Sequence, residues 1–210
     1  MIDSLSEGFN TLMIDRIGSS IIIKCLKRLD TQLNQKLCEK AVENCLQLAT
    51  HEKGCIYLNE FITYIRGPYR DQLLETISIN SLYLSQDPTG NYVVQHVLGL
   101  FNPVFTQKIC CILSGHYVRL SSMVGGSHIV EKCLKSPWMD YPLDELVNSN
   151  KLGRLAADQF GNYVIQTALK VTKVICSILT ISFIYLFFIS LSLKLLSFCF
   201  FSTACKKSNS

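Results

Sequence analysis

From Gln35 to Leu48 the apolar side chains Leu37, Cys38, Ala41, Cys45 and Leu48 recur at helical spacing. That spacing puts them on one face of a helix, so the segment is predicted to form one amphipathic helix. Asp71–Leu84 repeats the pattern with Leu73, Leu74, Ile77 and Leu84, and Thr106–Leu120 does so again. Phe9–Ile14 reads as the last turn of a helix without the part that should precede it. After a longer connection, 135–142, with Pro137, Trp138 and Pro142, the proline is predicted to open a further helix. Asp144 and Glu145 then fall in its first turn, where carboxylates favour the helix dipole. The chain is therefore expected to be all-α to about Lys170.

The pattern also has a long period. Glycines recur at Gly18, Gly54, Gly90, Gly126 and Gly161, at spacings of 36, 36, 36 and 35. Six residues before each stands a leucine: Leu12, Leu48, Leu84, Leu120 and Leu155. Four residues after come Ile22, Leu58, Val94, Val130 and Ile165, and eight after come Leu26, Ile62, Leu98, Leu134 and Leu169. Units of this size with fixed apolar positions cannot bury their faces alone, which points to a solenoid of stacked helical repeats.

The polar positions of the repeat are as regular. Asp87–Leu98 reads DPTGNYVVQHVL: a turn ends at Gly90, and a helix then carries Asn91, Tyr92 and Gln95 on one side and Val93, Val94, Val97 and Leu98 on the other. Gly126 is followed by Ser127, His128 and Glu131, and Gly161 by Asn162, Tyr163 and Gln166. Gly54 is followed by Cys55, Ile56 and Asn59, and Gly18 by Ser19, Ser20 and Ile23, which depart from the pattern.

The runs GNYVVQHVL, GSHIVEKCL and GNYVIQ resemble the Pumilio (PUF) family of RNA-binding proteins, over residues 9–170. The resemblance implies an all-α, right-handed α-solenoid in which the second helix of each repeat lines an inner face. Each repeat is then expected to read one RNA base through two or three side chains. The chemistry can be argued from the residues themselves. Uracil presents two acceptors around one N–H, and the amide pairs Asn91/Gln95 and Asn162/Gln166 offer both donors and acceptors. Guanine presents two adjacent donors, which suit the carboxylate of Glu131 beside Ser127. Tyr92, His128 and Tyr163 are placed to stack on bases, each stack worth roughly 1–3 kcal/mol. Ser127 and Glu131 are expected to stand exposed in the groove.

In that family the RNA runs antiparallel to the protein, so the resemblance implies a 5′-UGU core in messenger 3′ untranslated regions, read by the last, fourth and third repeats. Cys55, Ile56 and Asn59 are carried as weaker RNA contacts, and recognition should fade toward Ser19 and Ile23. Plainer readings exist for each residue singly. Asn or Ser after a glycine suits a helix cap, Glu131 suits pairing with a lysine, and an aromatic at a helix start suits packing. Their joint recurrence in register favours RNA. The alternative function is a protein-binding α-solenoid scaffold, with or without a membrane tail.

Charge adds little. All 16 acidic and 17 of the 20 basic residues lie at or before Lys173, which leaves that part at +1 of the overall +4. Nucleic acid is thus nominated by particular residues and not by net charge. The ten cysteines show no CxxC and no zinc-type spacing, so reduced thiols in a cytoplasmic protein are expected. His51, His96, His116 and His128 form no catalytic constellation, and neither a phosphate loop nor a cofactor or metal site is evident. Enzymatic activity is not expected. Expected partners are single-stranded RNA and regulatory proteins.

The domain division expected is 1–170 as five repeats and 171–210 as an apolar tail. Val174–Leu193 is uncharged over 20 residues, long enough for a transmembrane helix. Three accounts are weighed: a membrane anchor, a cap on the solenoid, and a retained-intron product. The abundance of Phe, Leu, Ser, Ile and Cys, encoded by T-rich codons, favours the last.

Overall fold

The structure is a computed structural model that describes residues 2–29 and 31–173. The expectations placed on Val174–Leu193 and the rest of the tail lie outside the described residues. The chain divides into two units, Met1–Ala168 and Leu169–Ser210. No strand occurs among the described residues, and the described part of the first unit is helices joined by short turns.

The first unit has three rows of helices. An outer row comprises α1 (Ile2–Glu7), α4 (Thr31–Glu43), α7 (Pro68–Ile79), α10 (Pro103–Ile112) and α13 (Asp140–Val147), each packed on the next. An inner row comprises α3 (Arg16–Arg28), α6 (Gly54–Tyr64), α9 (Gly90–Gly99) and α12 (Val124–Leu134), again packed in sequence. A further helix, α15, spans 161–173. Short helices link the rows: α2 (Phe9–Met13), α5 (Cys45–Ala49), α8 (Ser81–Gln86), α11 (Tyr117–Ser121) and α14 (Leu152–Ala157).

The recurrent glycine and leucine have one cause. A Cβ at Gly18, Gly54, Gly126 or Gly161 would lie 2.5–2.7 Å from the carbonyl oxygen of the leucine six residues earlier. At Gly90 it would lie 2.9 Å from the Leu84 side chain and 3.0 Å from its carbonyl. Each inner helix begins against the backbone of the short helix before it, so no side chain fits there. Leu48, Leu84, Leu120 and Leu155 are buried between these layers, each worth about 1.5–3 kcal/mol. Phe9 and Phe61 meet edge to face at 5.9 Å in the core joining the first two repeats.

The long helices expected over 35–48 and 71–84 are each two helices. The breaks fall at Asn44 and Asn80, whose Nδ2 atoms donate to the carbonyls of Lys40 and Thr76 at 2.8 Å. A short amide side chain that satisfies a last-turn carbonyl ends the helix there. Asn148 does the same with Asp144 at 2.8 Å after α13. The stretch expected to be helical over 106–120 breaks at Gly115, whose φ of 81° turns the chain between α10 and α11.

Other expectations also change. The helix missing before Phe9 is present as α1, which packs on α4, with Lys36 paired to Asp3. Pro142 lies in the first turn of α13, which opens earlier, at Asp140. Glu145 reaches back to the preceding repeat, accepting from the N–H groups of Gly115 at 2.7 Å and Val118 at 3.0 Å. It thereby binds the start of α11.

Seven described cysteines are free thiols, and five of them are buried. Burial pushes the Cys45 thiol up to about 12 and, with Glu39 nearby, the Cys38 thiol up to about 11, as expected of small hydrophobes.

Candidate nucleic-acid interface

The turns that open α3, α6, α9 and α15 are each held by a side chain three residues before the glycine, whereas Met123 at that place before α12 makes no such bond. Asp87 Oδ1 accepts from the N–H groups of Thr89 and Gly90 at 2.8 and 2.7 Å and from the Thr89 hydroxyl at 2.8 Å. Asp158 accepts from Phe160 and Gly161 at 2.9 and 2.7 Å, and Asp15 from Ile17 and Gly18 at 2.9 and 2.8 Å. His51 Nδ1 does the same for Lys53 and Gly54 at 3.2 and 3.1 Å.

These bonds set the acidity of the caps. The Gly161 N–H, followed by that of Phe160, holds the Asp158 carboxyl below its ordinary value. At Asp87 burial pushes the other way, and the donors at Gly90 and Thr89 together outweigh it. The Asp of these turns stands at a fixed register in the sequence, three residues before Gly18, Gly90 and Gly161.

The residue after each glycine turns its donor inward. Ser19 Oγ donates to the Arg16 carbonyl at 3.2 Å, Cys55 Sγ to Glu52 at 3.4 Å and Ser127 Oγ to Val124 at 3.1 Å. Asn91 Nδ2 donates to both Asp87 and Pro88, each at 2.9 Å, and Asn162 Nδ2 to Asp158 at 2.8 Å and Gln159 at 3.1 Å. None of them is therefore the helix N-cap that the sequence also allowed, because their side chains donate to carbonyls and accept none of the free N–H groups of the first turn. The two amides add something the serines and the thiol lack. Asn91 Oδ1 accepts from Gln95 Nε2 at 3.0 Å, and Asn162 Oδ1 from Gln166 Nε2 at 3.1 Å.

Ser127 is not exposed in a groove: it is 3% accessible. It sits in the first turn of α12, and its hydroxyl donates to the Val124 carbonyl of that same turn. The Glu131 side chain is only 18% accessible. Its Oε2 accepts from Thr167 on α15 at 3.0 Å and from Lys135 at 3.5 Å, while Oε1 stands 3.8 Å from His128 Nδ1. Glu131 is thus held between two helices, with one oxygen outside any strong bond. Thr167 had no signal in the sequence, since only tertiary packing brings it to Glu131.

The residues next to these are open. Ile56, Tyr92 and Tyr163 are each more than half exposed, as is the His128 side chain. Asn59 donates to the Tyr92 carbonyl at 3.4 Å, and its Oδ1 is buried without a partner. Asn91, Tyr92, Gln95, Gly125, His128 and Phe160 line a groove of about 750 Å³. Farther along α9, Thr63 Oγ1 meets His96 Nε2 at 3.3 Å. Burial, then the charges of Lys132 and Arg70, push the His96 ring below its ordinary value. The twelve residues singled out in the sequence therefore form one row along α6, α9, α12 and α15. Those two places after each glycine face out, and those one place after face in.

A profile of the Pumilio-family RNA binding repeat matches residues 9–40, 44–78, 80–114 and 152–172. Pumilio homolog 11 of Arabidopsis thaliana is 38% identical over 180 residues, which cover 81% of this chain and 31% of that protein. Pumilio homolog 12 of the same plant is 37% identical over 176 residues, covering 82% and 30%. The chain thus spans about a third of the length of these relatives. Among solved structures, the Puf4 RNA binding domain bound to the HO endonuclease RNA 3′ UTR recognition sequence superposes with a TM-score of 0.74 at 32% identity. That match covers 82% of this chain and 56% of that one. The Puf3 RNA binding domain bound to Cox17 RNA 3′ UTR recognition sequence site B gives 0.65 at 26% identity, covering 75% and 45%.

Proposed function

This chain belongs to the Pumilio family of RNA-binding repeat proteins, and from that premise we propose that it binds single-stranded RNA sequence-specifically through a 5′-UGU core. The last repeat, with Asn162, Tyr163 and Gln166, takes the first uracil. The fourth, with Ser127, His128 and Glu131, takes the guanine, and the third, with Asn91, Tyr92 and Gln95, takes the second uracil. One observation carries the reading. Two Asn–Gln pairs with the same internal hydrogen bond flank a carboxylate at the matching position, and all three stand beside exposed rings on successive inner helices.

The chemistry follows from the side chains left available. Gln95 and Gln166 each keep one N–H and an oxygen for a base edge that offers an acceptor beside a donor. Glu131 offers acceptors only, as guanine requires. Tyr92, His128 and Tyr163 supply stacking, which adds affinity without choosing a base. Cys55, Ile56 and Asn59 contribute a weaker fourth contact, because an aliphatic replaces the ring of the other repeats and the shorter Asn59 amide donates to the neighbouring repeat. Ser19, Ser20 and Ile23 present no comparable set. By this reading the protein acts on messenger 3′ untranslated regions in post-transcriptional regulation, in the cytoplasm, with regulatory protein partners.

The test is the affinity for a short RNA containing UGU against a scrambled RNA of the same composition. A clear preference for UGU is expected. Equal binding to both, or none to either, would leave the protein-binding scaffold as the better account.

A further inference from the structure

We propose that Gly125 is a specificity-determining residue of the third repeat: by lacking a side chain it lets Asn91 lock Gln95 into the orientation that accepts uracil and refuses cytosine. The inference rests on the RNA reading given above.

Uracil and cytosine differ in the order of the groups on their pairing edge. Uracil sets an acceptor, O4, beside a donor, N3–H. Cytosine sets a donor, its N4 amine, beside an acceptor, N3. A glutamine amide that is free to turn over matches either one. Gln95 is not free. Its Nε2 donates to Asn91 Oδ1 at 3.0 Å, and turning it over would bring two oxygens together with no proton between them. Nor can Asn91 turn over, because its Nδ2 donates to the Asp87 and Pro88 carbonyls, both at 2.9 Å. Backbone carbonyls can only accept, so the orientation passes from the turn through Asn91 to Gln95.

This lock needs space. A Cβ on Gly125 would lie 2.3 Å from Asn91 Cγ, 2.5 Å from Oδ1 and 2.7 Å from Nδ2. The carboxamide is tied by three hydrogen bonds and cannot yield without losing them. The same register at other repeat boundaries shows the opposite pairing. Ser19 is matched with Lys53, Cys55 with Thr89 and Ser127 with Phe160, a small residue with a larger one each time. Among these four boundaries the long Asn91 has glycine for its partner. The base read by one repeat is thereby set in part by the first turn of the next.

The test measures binding of UGU and UGC RNAs, and thermal stability without RNA, for the wild-type chain and three variants: Gly125→Ala, Asn91→Ser, and both together. Gly125→Ala should lower the melting temperature and cut the preference for UGU over UGC by about tenfold, the range of one good base contact. Combined with Asn91→Ser, the alanine should restore the melting temperature, since serine leaves room for it and alanine favours a helix over glycine. The preference should stay lost, because serine cannot hold Gln95. A wild type that does not distinguish UGU from a scrambled RNA overturns the RNA reading itself. A wild type that prefers UGU, joined to a Gly125→Ala variant with an unchanged UGU-to-UGC ratio, overturns this inference alone. So does a stability loss from Gly125→Ala that is the same with and without the Asn91→Ser change.

Discussion

Replacing Asp87 with alanine removes the acceptor that organises the third-repeat turn. Its Oδ1 takes two backbone N–H groups and one hydroxyl at 2.7–2.8 Å. Loss of a helix cap of this kind costs about 0.5–2 kcal/mol, and three bonds to one carboxylate place Asp87→Ala near the upper end. For a unit of this size that converts to a melting temperature lower by about 4–8 °C. Asp87→Asn, which keeps a neutral acceptor, should lose about half as much.

The pH dependence has a definite sign. The folded-state value of Asp87 lies below its ordinary 3.8, so its ionised form is favoured by folding. Its contribution is present above about 3.8 and is lost as the pH falls through the lower folded value. The gap between wild type and Asp87→Ala should therefore be full at pH 7 and narrow only below pH 4. Circular dichroism melts across that range read both quantities. Equal melting at pH 7, or a gap that closes already between pH 6 and 5, would refute the argument. Because the same turn anchors Asn91, the variant should also lose part of its preference at the third base.

The other predictions are shorter. Gly126→Ala would put a Cβ 2.5 Å from the Leu120 carbonyl and should destabilise by about 1–3 kcal/mol, whereas Gly153→Ala meets nothing within 4 Å and should be neutral or stabilising in the same melts. Ser127→Asn with Glu131→Gln should shift preference from UGU toward UUU in binding assays, but at a cost in stability, since Ser127 is buried. His96, whose ring is held below its ordinary value by burial and neighbouring cations, binds its proton more readily unfolded. Stability should fall as the pH drops below about 6.5, and His96→Gln should flatten that slope.

The order of apolar residues along this chain was enough to decide the repeat, its length and its all-helical character. A helical face shows its period locally, and five copies of Gly with Leu six residues earlier make the long period plain. The residue types of Gln95, Glu131 and Gln166 and the shared register of Tyr92, His128 and Tyr163 were also legible, because both are read directly along the chain. Helix boundaries were less so. Asn44 and Asn80 each sit within an unbroken apolar pattern, and only their bonds to the carbonyls four residues back end the helix.

Tertiary structure alone decided which polar residues face outward. Asn91 and Ser127 look like groove residues by spacing, yet both are buried, and carbonyls three or four residues back take their donors. Gly125 meeting Asn91, Thr167 meeting Glu131 and Glu145 meeting Gly115 join residues 30 to 36 positions apart. A sequence carries such pairings only as two separate choices of residue. Stacking one repeat on the next brings the two choices into contact, and that contact sets how each polar group is spent.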